Sequence, residues 1–354
     1  MAGRGSPHNI DHRFSGPLVE AVDDGWASEE WESAFNTLAP QTEVREIDAR
    51  SIISYNSYNS SPDVPFGRSI NPYQGCEHGC IYCYARPSHT YLELSPGLDF
   101  ETKLFAKRNG ANLLRREFAK PAYQPQTIVI GANTDPYQPI EQRYRLTRQL
   151  LEVMLAHRHP VGLITKSAMI LRDLDLLSEL ASEGLCQVMV SVTTLNETLR
   201  RQLEPRASTG AGRLKVIEKL ASAGVQVGVL AAPMIPRLNE PELEQIIKSA
   251  AEAGASCADY ILLRLPHELA PLFGDWLDTH YPGQKEAILN QLRASRGGEL
   301  NSVAFGSRMR GEGHFADLLA QRFRLISKRL GLGKRHIQLR QDGFIRPGEQ
   351  LSLF

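Results

Sequence analysis

From about residue 68 to residue 265 the chain alternates between two rhythms. Short β-branched and apolar runs, at 127–132, 161–165, 187–192, 225–230 and 260–264, read as strands buried on both faces. Between them lie stretches with apolar residues three and four apart, at 146–155, 171–180, 214–220 and 243–250, the spacing of a buried helix face. A strand leading into residue 76 and a run at 100–106 bring the expected strands to six or seven. Strands that alternate with helices imply right-handed crossovers and a parallel α/β sheet. This spacing suits a doubly wound open sheet as well as a barrel, but no glycine-rich dinucleotide fingerprint follows any strand, which weakens the doubly wound reading. Helical periodicity returns at 284–295 and 314–330, around a glycine-bearing link at 305–309, and would serve to close the open side of a partial barrel or to carry a substrate site.

Composition adds divisions to this pattern. The formal net charge is zero, yet residues 1–50 hold four Arg or Lys against ten Asp or Glu, whereas residues 291–354 hold twelve against five. Little periodicity in the acidic head implies partial disorder, with 26–38 able to dock as a helix. The basic end suits a polyanion, or equally a solvated helix face. The expected divisions are an extension over 1–60, a core over 61–281, a helical segment over 282–335 and a flexible tail over 336–354. No apolar run approaches about 18 residues and no signal peptide is present, so no membrane is expected. Five cysteines, three of them clustered, fit a reducing cytoplasm.

Those three carry the chemistry. Cys76, Cys80 and Cys83 follow one another at Cys-x3-Cys-x2-Cys in a loop with Gly75 and Gly79, beside Tyr82 and Tyr84. Three thiolates hold three irons of a cubane that four cysteines normally close, leaving one iron open. A zinc site completed by His78 or His89 is the alternative, although no second cysteine pair exists. A redox Cys-x-x-Cys pair would leave Cys76 unexplained.

The stretch Gly75-Cys-x-x-Gly-Cys-x-Tyr-Cys-Tyr84 resembles the signature of the radical S-adenosylmethionine (SAM) enzymes, in the branch that includes spore photoproduct lyase. The resemblance implies a partial (β/α)6 TIM-type barrel with functional residues at the carboxyl ends of its strands. It also implies a [4Fe-4S] cluster on Cys76, Cys80 and Cys83, SAM on the open iron, and reductive cleavage to methionine and a 5′-deoxyadenosyl radical. An electron donor such as flavodoxin or ferredoxin is implied with it.

The same resemblance nominates residues just past the strand ends. Asp135 with Thr134 is similar to the branch's group for the SAM amino end, a charge-assisted acceptor, or else a helix start capped by Asp135. Lys166 would meet the SAM carboxylate, or stand solvated. Ser191 and Thr193 would meet the ribose, although such residues also end strands for turn reasons. Met234 beside Pro233 would lie against adenine, with Tyr82 adding backbone contacts. Arg206 and Arg264 stand where a substrate or SAM carboxylate is met, unless they are surface ion pairs. One departure bears on substrate: Ala132 occupies the place of the lyase's hydrogen-donating cysteine, so thymine-dimer reversal by that route is not supported.

The chain ends Gln350-Leu351-Ser352-Leu353-Phe354 after a Pro347-Gly348 breaker. This pentapeptide looks like the motif by which bacterial polymerases and repair proteins bind the β sliding clamp, with a few apolar anchors supplying most of the affinity. The alternative is a tail folded back on its own domain. The leading expectation is a radical SAM enzyme acting on DNA or another nucleic acid. A radical SAM enzyme for a peptide or small metabolite, and a non-catalytic iron–sulfur or zinc module, stay open beside it.

Overall fold

The computed structural model describes residues 4–14, 41–55, 63, 66–333 and 339–348. Ten strands are present among them: β1 Glu43–Ile47, β2 Ile53–Tyr55, β3 Arg68–Ile70, β4 Tyr73–Gln74, β5 Lys103–Lys107, β6 Ile128–Ile130, β7 Val161–Thr165, β8 Cys186–Ser191, β9 Gln226–Met234 and β10 Cys257–Leu262. The larger sheet runs β10-β9-β8-β7-β6-β3-β2, and every pair in it is parallel except β2 on β3. Each parallel strand of this sheet therefore pairs with the sheet's next strand along the chain, β4 and β5 belonging to the other sheet. A doubly wound sheet would reverse direction at a switch point, so the constant direction marks a partial (β/α)6 barrel. The run at 100–106 becomes a helix, Asp99–Thr102, followed by β5, which pairs with β1 and β4 in a separate small sheet.

Alternation along the barrel strands sorts side chains into two layers. Val188, Val190, Val227 and Val229 pack outward under helices such as Leu146–Ala156 and Gly210–Ser222, within one large core. Burying each such side chain is worth roughly 1.5–3 kcal/mol. Met189, Leu230, Ala232 and Cys257 form a second, interior cluster flanked by Ile164 and Ile261. Gly228 makes room for it: a Cβ there would lie 2.4 Å from Cys257 Sγ and 2.7 Å from Met189 Sδ.

Beyond β10 the chain covers the open edge. Leu262 donates its N–H to Met309 O, at 2.9 Å, and the buried Arg296 guanidinium caps the Leu262 and Leu263 carbonyls at 2.7–3.0 Å. Arg308 then grips Asp63, on the chain just before β3, through two hydrogen bonds of 2.5 and 2.7 Å. The helices Lys285–Ala294 and Gly313–Arg329 follow the expected periodicity closely.

The described residues near each end are tied to the core. Glu101 is fully buried against Arg86, and its carboxylate accepts the N–H groups of Gly5 and Ser6 at 3.0 and 2.8 Å. Asn9 and Asp99 exchange two hydrogen bonds, and Arg13 is bidentate on Glu268 at 2.8 Å. Near the other end Phe344 packs into an aromatic group of Phe118, Tyr123 and His159. Ile345 exchanges hydrogen bonds with His157, and Arg346 donates to the carbonyls of Phe118, Lys120 and Tyr123. The helix expected at 26–38 and the pentapeptide Gln350 to Phe354 lie outside the described residues. Among the described residues no helix is long and apolar enough to cross a membrane.

Candidate active site

The cysteine loop begins where β4 ends and is shaped by two left-handed glycines, Gly75 (φ 77°) and Gly79 (φ 67°). Side chains are also excluded there sterically: a Cβ on Gly75 would lie 2.6 Å from Leu104 Cδ2, and one on Gly79 2.8 Å from Glu101 Oε2. Backbone bonds fix the loop to its surroundings, with Cys76 N–H on Phe100 O at 2.8 Å and Ile81 N–H on Leu203 O at 3.0 Å. Buried Arg86 donates to Cys80 O at 2.8 Å.

All three thiols are free and line one cavity of about 690 Å³. Burial pushes each thiol pKa up, and for Cys76 neighbouring Asp135, Cys80 and Cys83 add to the rise. Three desolvated thiols side by side repel as anions. A cationic iron centre reverses that cost, because a coordinating thiol is deprotonated outright, so this donor set fits the cluster that the signature implies. Among the described residues no three His, Cys, Asp or Glu side chains close on a single metal ion. Of the two imidazoles a zinc site would recruit, His78 Nδ1 lies 3.4 Å from Asp135 Oδ2 and His89 Nε2 lies 2.8 Å from Lys103 O.

Beside the thiols the same cavity is lined by residues at the carboxyl ends of the strands. Past β6, the Asp135 carboxylate accepts from the Thr165 hydroxyl and the Lys166 N–H at 2.7 Å each, and from the Tyr137 N–H at 2.9 Å. Burial raises its pKa, but His78 and these donors outweigh it, so the net shift is downward. Lys166, one residue past β7, puts its ammonium 3.7 Å from Glu204 Oε1 and 5.7 Å from the Tyr82 ring centre. Its pKa is lowered, chiefly by burial. Ser191, the last residue of β8, lines the same cavity.

Behind this wall Glu204 joins elements distant in sequence. Its buried carboxylate receives the Tyr82 hydroxyl and the Arg213 guanidinium, and Thr193 Oγ1 lies 2.6 Å away. Thr193 Oγ1 is also 2.9 Å from Ala232 O and 3.1 Å from Tyr82 Oη. One carboxylate thus ties the cysteine loop, the end of β8 and the helix Gly210–Ser222 together, with Lys166 at its edge.

At the mouth, Arg310 pairs with Asp259 and donates to Tyr260 O, as Arg308 does with Asp63. Arg264 stacks on the Tyr84 ring, 4.9 Å from its centre. The half-exposed Tyr84 donates its hydroxyl to Ala132 O.

Of the residues nominated from sequence, Cys76, Cys80, Cys83, Tyr82, Asp135, Lys166 and Ser191 share the cavity lining. Thr134, Thr193 and Met234 do not. The Thr134 hydroxyl is spent on Tyr73 O at 2.9 Å, Thr193 faces Glu204, and Met234 is fully buried while Ala232 and Pro233 form the wall. Arg206 pairs with Glu77 at 3.2 Å. Asp63 and Asp259 line the cavity without having been nominated, because their partners Arg308 and Arg310 lie far away in sequence; Tyr84, part of the cysteine signature, and Arg310, one of the basic residues suited to phosphate contacts, line it too.

Comparison with known proteins adds four findings. The family model for the Radical SAM superfamily matches residues 70–250. An uncharacterised protein of Mycobacterium tuberculosis (strain ATCC 25618 / H37Rv) is 34% identical over 241 residues, covering 67% of this chain and 71% of that protein. An uncharacterised protein of Methanocaldococcus jannaschii is 26% identical over 228 residues, covering 64% and 81%. Spore photoproduct lyase, solved in complex with a dinucleoside spore photoproduct, matches with a TM-score of 0.60 at 16% identity, covering 83% of this chain and 82% of that one. At that identity the likeness is one of fold.

Proposed function

The chain belongs to the radical SAM superfamily, and from that premise we propose that it binds a [4Fe-4S] cluster and SAM in the cavity described above and acts on DNA or another nucleic acid. In this family the bound cluster and SAM together supply a carbon-centred radical that takes a hydrogen atom from a substrate. The observation that carries the reading is the convergence of Cys76, Cys80 and Cys83 with Asp135, Lys166 and Ser191 on one cavity at the carboxyl ends of the parallel strands.

In this reading the three thiolates hold the cluster. Asp135 is ionised and fixed by three donors, so its charge faces the SAM amino group without reorganisation. Lys166 faces the carboxylate and Ser191 the ribose. Tyr82 and Glu204 keep the cysteine loop and Lys166 in register, and the barrel wall excludes water. Two observations support a nucleic-acid substrate: the clamp-like sequence Gln350 to Phe354, and the fold shared with a lyase whose solved complex holds a dinucleoside photoproduct. The β sliding clamp is the partner this reading names, and a flavodoxin or ferredoxin the electron donor.

Anaerobic reconstitution tests the chemistry. About four irons and four sulfides per chain, with 5′-deoxyadenosine released on adding SAM and dithionite, are expected; Cys80→Ala should lose both the cluster absorbance and the release. Full reconstitution with no turnover of SAM would defeat the enzymatic reading. Pull-down on purified clamp, with and without the last five residues, tests the setting separately.

A further inference from the structure

Lys166, Arg264, Arg308 and Arg310 line the cavity with Asp63, Asp135 and Asp259, and the four cations are not alike. Lys166 sits beside the thiols with Glu204 3.7 Å away. Arg308 is locked by both oxygens of Asp63, and Arg310 by Asp259. Arg264 differs: among the described residues it has no carboxylate partner and no hydrogen bond, only the Tyr84 ring beneath it. Its pKa is lowered, chiefly by burial; Tyr84 opposes that fall, nearby Arg308 adds to it, and Asp63 offsets it least. A guanidinium partly withdrawn from water without an anion is costly to keep, and its planar fork suits an oxyanion.

Its position narrows the anion. Arg264 lies two residues past the edge strand β10, and Asp135 and Lys166 follow β6 and β7, so it reaches the shared cavity from a different strand end. Tyr84 follows Cys83 directly and reaches across to Ala132 at the end of β6, so its ring bridges the thiols and Arg264. A second aromatic–guanidinium pair stands at the same mouth, with Arg308 5.2 Å from the centre of the half-exposed Phe305 ring. Guanidinium groups beside aromatic faces recur where single-stranded nucleic acid is held, the ring meeting a base and the cation a phosphate.

We propose that Arg264 and Tyr84 form a substrate subsite for the phosphate of a nucleotide, separate from the groups that hold SAM. The proposal rests on the nucleic-acid reading above. It places the nucleotide's sugar and base over Tyr84, on the side of the cavity that the cysteines share.

Titration calorimetry on the anaerobically reconstituted protein tests it with thymidine 5′-monophosphate and, as the uncharged reference, thymidine. The parent should prefer the monophosphate by about tenfold or more. Arg264→Gln should erase that preference and Arg264→Lys retain part of it. Arg329→Gln, which removes an exposed charge at the end of the helix Gly313–Arg329, should leave the preference intact, and SAM affinity should be unchanged in Arg264→Gln. A parent with no preference, or an Arg264→Gln protein that keeps it, overturns the subsite; so does loss of SAM binding in Arg264→Gln, which would put the guanidinium on the SAM carboxylate. If Arg264→Gln fails to fold, an unaltered preference in Arg264→Lys together with salt-independent monophosphate binding in the parent overturns it as well. A hexathymidylate titration keeps the two readings apart: failure to bind it while the monophosphate contrast holds removes the nucleic-acid reading and leaves the phosphate subsite standing.

Discussion

Glu204 shows how much one side chain organises. Truncating it leaves the Arg213 guanidinium and the Tyr82 hydroxyl buried without their carboxylate. Removing one partner of such a buried pair costs on the order of 3–5 kcal/mol. Urea denaturation should therefore show Glu204→Ala far less stable than Glu204→Gln, which keeps an acceptor in place; equal midpoints would contradict the role assigned here. A second test at this scale concerns acid stability. His159 is buried, 2.8 Å from the Tyr123 hydroxyl, and stacked on Phe118 at 4.4 Å between ring centres. Burial lowers its pKa to about 3, whereas in the unfolded chain it titrates near 6.5. Below about pH 6.5 the unfolded chain takes up a proton that the folded protein refuses, so stability is full above that pH and falls toward pH 3, by about 1 kcal/mol between pH 6.5 and 5.5. Replacing His159 by Asn should flatten that part of a melting-temperature profile against pH.

At the level of strands and helices, Gly228 is the position most sensitive to volume. The Cβ of Gly228→Ala meets Cys257 Sγ and Met189 Sδ inside van der Waals contact, and overpacking of this kind costs about 1–3 kcal/mol. Thermal melts should show the loss, and Cys257→Ala should restore part of it; a Gly228→Ala protein as stable as the parent would mean the barrel interior is looser than described. The elements themselves were largely legible from pattern. β7 coincides with its expected run because polar or proline residues mark both ends. β9 extends past its expected end to Met234 through Ala231, Ala232 and Pro233, residues with little strand preference, because pairing with β10 holds them. The helix expected at 171–180 starts later: Ser167 caps a tight 3-10 turn at Ala168–Asp173, and the helix proper runs Leu174–Ser182. The cysteine spacing exposed the metal-binding candidates directly, since sequence neighbours form that loop. Glu204 as a hub and the Arg308–Asp63 latch were not legible, because their partners lie 9 to 245 residues away.

For the molecule as a whole, the open side of the barrel is drawn together by Arg308 and Asp63, both largely shielded from solvent. Arg308→Ala should leave the strands intact by circular dichroism yet increase proteolysis around residue 63; an unchanged digestion pattern would show that other contacts close this side. The amino-terminal strap carries a different consequence. Gly5 lies so close to the Gly79 carbonyl that any larger residue would collide with it, and both its backbone and that of Ser6 are held by Glu101. During synthesis this segment has nothing to hold until Glu101 has followed, by which time Cys76, Cys80 and Cys83 are already outside. At elongation rates of roughly 5–20 residues per second, the newborn cysteine loop stays uncovered for about a second or more before the Gly5–Ser6 strap can close against it.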